Sequence, residues 1–393
     1  MKKMLRALLL ISATVFTFWS VWYVRKSGVL RAYPDTSFMT KPNEELRVMY
    51  QNLSEKEKAV YTALYEGIKD YKEYIELPYN IDGDVYDKIY QLLEKQESEF
   101  FYIDSVYYNS EKIRQAKIVY RVDRETAEKM KSELEKKRDE IKAGIGYNME
   151  DYEKAAYIHD YLAKNCVYRV QNSDFVGTAY GCLVEGYAHC EGYAKAFDYL
   201  LKELKINDVV ITGVTDDGEN HAWNKFKCSD GKWYNADVTW DDTDNTCEGR
   251  HIYFMSSDEA FEKSHFADNT YSNKKLVINK NTYGGSGVNG YYKKEKNYIS
   301  EFSECEKVLK KELGRFEKKG FLEVELADEE LYDKFKAKYF ESEGIFDLIL
   351  EYKPELVSEH GVTMEMVENK AELCIIIMIK TPVSYTHLTL PTI

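Results

Sequence analysis

The chain has 393 residues, 44% of them hydrophobic and 31% charged, with a net charge of −14. At roughly 100–200 residues per domain, this length holds two or three packed domains, and the composition excludes a disordered polymer. The acidic balance excludes nucleic acid as an expected partner, because neutralising phosphate with Lys and Arg supplies most of that affinity.

Lys2, Lys3 and Arg6 precede an apolar run from Ala7 to Val24, which Arg25 and Lys26 follow. A secretory apolar region is roughly 7–15 residues long and ends at small residues. This run ends in Trp22-Tyr23-Val24, and about 18 apolar residues can span a bilayer. Residues 1–28 are therefore expected to be an uncleaved signal anchor, giving a single-pass membrane protein whose remainder lies outside the cell. A cleaved leader and a secreted product is the alternative. Residues 29–45, polar and carrying Pro34 and Pro42, read as a linker.

Residues 46–148 read as a small α+β domain. Ser54-Glu55-Lys56-Glu57 is a capping box that opens a helix, and Val60, Leu64 and Ile68 form its apolar stripe. A second helix is predicted over 84–97 and a charged one over 124–143. The runs 100–108 and 117–122 read as a hairpin.

The next domain, 149–300, opens with a helix over 151–164. A helix is predicted from Cys190, strands at 209–214, 221–227 and 232–240, and a flexible turn at 284–290. From 301 to 380 a third, α+β domain is expected: a helix to Lys318, a strand at FLEVEL, a helix over 328–340 and a strand at ELCIIIMIK. Residues 381–393, TPVSYTHLTLPTI, look like a translated sequencing adapter, and His387 and Pro391 receive no role.

Seven cysteines occur without any CxxC pair, so no structural zinc site, metal or other cofactor is expected. They are too sparse in so long a chain for a disulfide scaffold. Cys190 differs from the rest by its position. Tyr193, Phe197, Leu200, Leu201 and Leu204 recur behind it at helical spacing. That puts the thiol on the first turn, where free N–H groups and the helix dipole favour a thiolate. Two further stretches, around His221 and Asp237, flank Cys228-Ser229-Asp230-Gly231, a hairpin signal. A three-residue loop with Gly231 left-handed pairs Cys228 with Lys232. His221 then falls opposite Thr239, and Trp223 opposite Asp237. His221 and Asp237 share a face as diagonal neighbours, ~7–8 Å apart along the backbone. A two- or four-residue loop would turn Asp237 to the other face.

These groups can perform acyl transfer. Cys190 is the expected nucleophile, His221 the base and then acid, and Asp237 the residue that orients the imidazole. The Cys190 N–H is one oxyanion donor candidate. Tyr180, Gln171 and Trp223 are weaker candidates for oxyanion or substrate contacts.

The stretches Cys190-Glu191-Gly192-Tyr193-Ala194, His221-Ala222-Trp223-Asn224 and Asp237-Val238-Thr239-Trp240-Asp241 resemble the three motifs of the transglutaminase-like superfamily. The resemblance covers about 150–270, and more weakly 45–150, the companion region of bacterial members. It implies an α+β, papain-like core, with the nucleophile at a helix N-terminus packed on an antiparallel sheet; the small α+β domains and the membrane helix read from the sequence flank that core. The resemblance also implies cysteine acyl-transfer chemistry, peptidase or amidase as much as crosslinking. Joined to the expected outward-facing anchor, the leading reading is a cysteine peptidase or amidase acting on surface protein or cell-wall peptide through a thioester. The alternatives are crosslinking of Gln to amines, or a non-catalytic surface module on the same fold. His189, where the family usually has an apolar residue, is read as packing, with tuning of the thiolate as the alternative. His159 is read as packed, and His251 and His265 receive no catalytic role. Asp241, Asp242, Asp244 and Glu248 form a weak calcium-loop candidate that lacks EF-hand spacing.

Overall fold

The computed structural model describes residues 16–20, 22–23, 44–170, 173–242, 250–268, 290–316, 319–357, 361–370 and 372–380. Among them no helix is long and apolar enough to cross a membrane. Only residues 16–20 and 22–23 of the expected anchor are described, and they are helical. The tail from 381, most of the linker and the turn at 284–289 lie outside the described residues.

Two compact units divide at Glu133 and Leu134. In the first, α1 (Glu55–Lys69) begins with the capping box read from sequence: Glu57 N–H donates to Ser54 Oγ at 3.4 Å, and Ser54 N–H to Glu57 Oε2 at 2.8 Å. Val60, Leu64 and Ile68 are fully buried along one stripe. Strand β1 (Tyr74–Asp82), α2 (Gly83–Gln96) and β2 (Lys112–Lys117) follow, with β1 antiparallel to β2. The expected hairpin of 100–108 with 117–122 does not form. Phe100, Phe101, Tyr102 and Ile103 are all buried in consecutive turns, whereas a strand would send alternate residues to opposite faces. A single bridge, Ile103 to Tyr120, is what remains of it. The strand that does pair, β1, carries Pro78, which argues against a strand from sequence. The register shifts between Glu76 and Ile81 and so takes up the proline. Helix α3 (Arg124–Lys142) carries the chain into the second unit.

The second unit is a mixed α+β fold. Helices α4 (Asp151–Asn165) and α5 (Cys190–Glu203) accompany a five-stranded antiparallel sheet. Its strands are β5 (Asn207–Thr215), β6 (Asn220–Lys227), β7 (Trp233–Ala236), β8 (Phe254–Ser256) and β9 (His265–Ala267), in the order β8-β7-β6-β5-β9. Before α5, β3 (Val167–Tyr168) pairs in parallel with β4 (Tyr187–Ala188). Ala194 of α5 packs on Val210 and Ala222 of the sheet, with Cys190 at the edge of that cluster. The β6–β7 hairpin has the expected register: Cys228 N–H bonds to Lys232 O at 3.0 Å, and Asn224 faces Ala236.

The predicted strand 232–240 stops at Ala236. Asp237 turns its carboxylate onto the N–H groups of Thr239 and Trp240 and caps a short helix, α6 (Val238–Asp241). This local bonding takes the backbone out of the ladder.

A four-stranded sheet ends the unit: β10 (Tyr298–Ile299), β11 (Lys319–Leu326), β13 (Cys374–Lys380) and β12 (Thr363–Asn369), in that order. Leu322, Val324 and Leu326 point into one apolar cluster, while Ile376 and Met378 of β13 join Ile252 and Tyr292 in another. Both faces of this sheet are therefore covered.

Candidate active site

Cys190 opens α5 because the apolar residues behind it fix the helix and His189 caps it. The His189 Nδ1 accepts the Glu191 N–H at 3.2 Å, and the His189 carbonyl accepts the N–H groups of Gly192 and Tyr193 at 2.9 and 3.2 Å. The Cys190 N–H stands first in this row. Gly192 lets the chain at 176–178 lie against the first turn: a Cβ there would run into the Val176 carbonyl and come within 2.8 Å of the Ala188 Cβ. The thiol is half-buried.

His221, the second residue of β6, lies opposite Gly213 of β5. Its Nε2 donates to Asp237 Oδ2 at 2.6 Å, and the Cys190 thiol lies close enough to the same imidazole for each to shift the other's pKa. With Nε2 occupied, Nδ1 is the nitrogen available to the sulfur. Asp237 is 1% exposed, and its backbone N–H bonds to Tyr253 O at 3.0 Å. Its two oxygens have separate duties. Oδ1 takes the N–H groups of Thr239 and Trp240, and Oδ2 takes His221 and, at 3.1 Å, the Nε2 of His265.

The electrostatics follow from these contacts. Burial pushes the Cys190 thiol up, but hydrogen bonds from His189 and His221 outweigh it and bring it down to about 7. Burial alone would lower His221; the Asp237 charge and hydrogen bond, with Cys190 beyond, push it up to about 10. Asp237 is also opposed by burial, yet His221 and His265 hold it well below the usual carboxylate range. Between about pH 7 and 10 the sulfur and imidazole therefore stand as thiolate and imidazolium.

Cys190, His221 and Asp237, remote along the chain, are thus brought together. Trp223 shares the His221 face of β6; it is 3% exposed, with its ring 6.3 Å from His221 and 5.1 Å from His265. Tyr180 is buried, edge-on to Phe175 at 5.6 Å. Gln171 lies outside the described residues.

His189 caps α5 and lowers the Cys190 thiol, as the alternative to packing expected. Two further neighbours of the site were not read from sequence. His265, given no role, shares the Asp237 carboxylate and sits among Phe261, Trp240 and Trp223 at 3.9, 4.4 and 5.1 Å. No spacing in the sequence marks it, because β9 reaches the site only by pairing with β5. Tyr168, 41% exposed, stands close enough for the Cys190 and Asp237 charges to raise its hydroxyl pKa, after burial as the main cause. Two of the four carboxylates of the calcium-loop candidate are described, and both face protein donors. Asp241 accepts Tyr253 N–H at 3.0 Å, and Asp242 accepts the Tyr193 hydroxyl at 2.5 Å.

The structure thus sets a cysteine at a helix N-terminus beside a histidine on an antiparallel sheet and an aspartate just past the end of its neighbouring strand. The chain carries a transglutaminase-like core: residues 139–238 match the model described as the transglutaminase-like superfamily. Among solved structures it is similar to a Cytophaga hutchinsonii protein designated a cysteine protease, at 23% identity over 28% of this chain and 37% of that one, with a TM-score of 0.23. It is similar to a TGase at 14% identity over 37% and 44%, with a TM-score of 0.27. It is also similar to menin at 12% identity over 77% and 67%, with a TM-score of 0.27. The chain spans about two-fifths of the length of the first two. No curated protein matches the sequence.

Proposed function

We propose that this protein is a cysteine acyl-transfer enzyme that hydrolyses amide bonds of surface protein or cell-wall peptide through a thioester on Cys190. The observation that carries this reading is the single His221 ring, bonded to Asp237 at 2.6 Å and electrostatically coupled to the half-buried Cys190 thiol at the start of α5. A purely structural cysteine has no need of a charged relay behind it.

The steps follow from the groups. The thiolate attacks the carbonyl carbon, and the oxyanion takes the Cys190 N–H as one donor. The tetrahedral intermediate collapses as imidazolium gives its proton to the leaving amine, forming the thioester. Water then attacks while His221 takes a proton; the C–S bond breaks, the acid leaves and the thiolate is restored. Asp237 stays ionised throughout and fixes the ring. The apolar run at 7–24 supports placing the enzyme at the cell membrane with its catalytic part outside.

The test is chemical and then proteomic. An amide-bearing thiol probe should label the wild-type chain and leave Cys190→Ala unlabelled, and cell-surface material should yield newly cleaved peptides. Equal labelling of both chains would sink the proposal. Ammonia release with amine incorporation would assign the same thioester to crosslinking, and labelling without any turnover to a non-catalytic module.

A further inference from the structure

The second unit holds a buried cluster that the sulfur chemistry does not use. The rings of His159, from α4, and His251, from the segment leading into β8, stack 5.0 Å apart. Each aims a nitrogen at one oxygen, Asp160 Oδ1: His159 Nδ1 at 3.0 Å and His251 Nε2 at 2.9 Å. The opposite nitrogen of each ring meets a carboxylate. His159 Nε2 lies 3.2 Å from Asp241 Oδ2, and His251 Nδ1 lies 2.8 Å from Glu323 Oε2. Those carboxylates are held in turn, Asp241 by the Tyr253 N–H and Glu323 by the His251 N–H. His159, His251, Asp241 and Glu323 are buried, while the Asp160 side chain is 44% exposed and opens the cluster to solvent.

We propose that His159 Nδ1, His251 Nε2 and the Asp160 carboxylate form a zinc site, with water entering from the open side of Asp160. Two imidazoles and a carboxylate with one open position are a donor set suited to Zn²⁺. The three ligand atoms already lie within 4.8 Å of one another. Tetrahedral zinc with bonds of about 2.0–2.1 Å separates its ligands by about 3.3 Å, so the two imidazoles open by only a few tenths of an ångström from Asp160. The backing carboxylates carry the argument further. A metal-bound imidazole almost always donates its other N–H to such a partner, which fixes the tautomer and strengthens the ligand. Charge is balanced as well. Three carboxylates surround two rings, and one Zn²⁺ supplies the same charge as a proton on each. The other histidine–carboxylate group, His221, Asp237 and His265, lacks this backing: His221 faces Cys190, and His265 Nδ1 faces Ser264 Oγ at 2.9 Å. Zinc would also steady Asp241, and with it the turn of α6 that Asp237 caps.

The test uses the full-length chain carrying Cys190→Ser, so that the active-site thiolate is no ligand, stripped with chelator and titrated with Zn²⁺ by calorimetry. One ion per chain is expected. Adding Asp160→Asn, at a half-exposed position that tolerates the change, should weaken binding at least tenfold. Adding Glu323→Gln should weaken it roughly 10–100-fold, and His251→Gln should abolish it. Adding His265→Gln should leave it unchanged. The proposal is overturned if the Cys190→Ser chain takes up no zinc at about 100 μM, if Asp160→Asn binds as tightly as its parent, or if His265→Gln removes the ion.

Discussion

Asp237 is the residue on which the site turns, because each of its oxygens is committed. Asp237→Asn replaces one oxygen by an NH₂ group. It must either lose the two α6 N–H bonds or face His221 with a donor. The imidazolium loses its counter-charge and falls from about 10 towards its ordinary value, and the thiolate loses its partner. We expect kcat/KM to drop roughly 10³–10⁴-fold, as in other sites where the orienting carboxylate becomes an amide, while probe binding in the unreacted state persists. Retained activity in a stopped assay would contradict this. His265 competes for the same Oδ2 oxygen. His265→Phe keeps the stack on Phe261 but removes the N–H, leaving more of the Asp237 charge for His221. A hydrogen bond to a charged group contributes about 1.5–3 kcal/mol, and one pH unit corresponds to about 1.4 kcal/mol. The alkaline limb of the pH–rate profile should therefore move up by about one unit. A packing role alone would lower the rate and leave that limb in place.

At the level of elements, α5 and the chain at 176–178 make the platform for the thiol. Gly192→Ala drives a methyl group into the Val176 carbonyl. Backbone cannot yield there as a side-chain tip could, so we expect a loss of about 1–3 kcal/mol by chemical unfolding. Alkylation of Cys190 should slow as the cap shifts. A melt identical to wild type would refute this. The same elements explain what could be read from sequence. Ser54 and Glu57, the Leu64 stripe, the helix behind Cys190 and the β6–β7 register are local patterns, and local patterns survive folding. Asp237 was placed on the correct partner, although it leaves the strand where continuation was expected. Its own side chain ends the strand, and no periodicity reports that. His265, Glu323 and β1 were not legible, because each depends on pairing between distant segments or on a bulge that absorbs Pro78. His251 has no local pattern either, since its partner Glu323 is supplied by β11.

For the whole molecule, the shifts at Cys190 and His221 have opposite signs. A thiol lowered from ~8.5 to about 7 adds stability as pH rises through that window. A histidine raised from ~6.5 to about 10 loses it as pH rises towards 10. Folding moves one proton from sulfur to ring and barely changes the number bound near pH 8, so the pair leaves stability almost level there. Activity should rise near pH 7 and fall near pH 10, and this pair's contribution to the urea midpoint should change little around pH 8 and then fall as pH rises towards 10. Asp237, depressed in the folded state, contributes stability above about pH 4 that is lost as pH falls through its lower folded value. Asp237→Asn should flatten that acid limb, and an unchanged limb would assign it elsewhere.

The C-terminal sheet has a practical consequence. Ile252 and Tyr292 are buried against Ile376 and Met378, and Glu323 bonds to His251. A shortened expression product covering 134–300 would keep every group that reacts, yet present this oily seam to water and strip His251 of its anchor. It should elute from a sizing column as soluble aggregate, whereas extending the product to 380 should restore a single monodisperse peak.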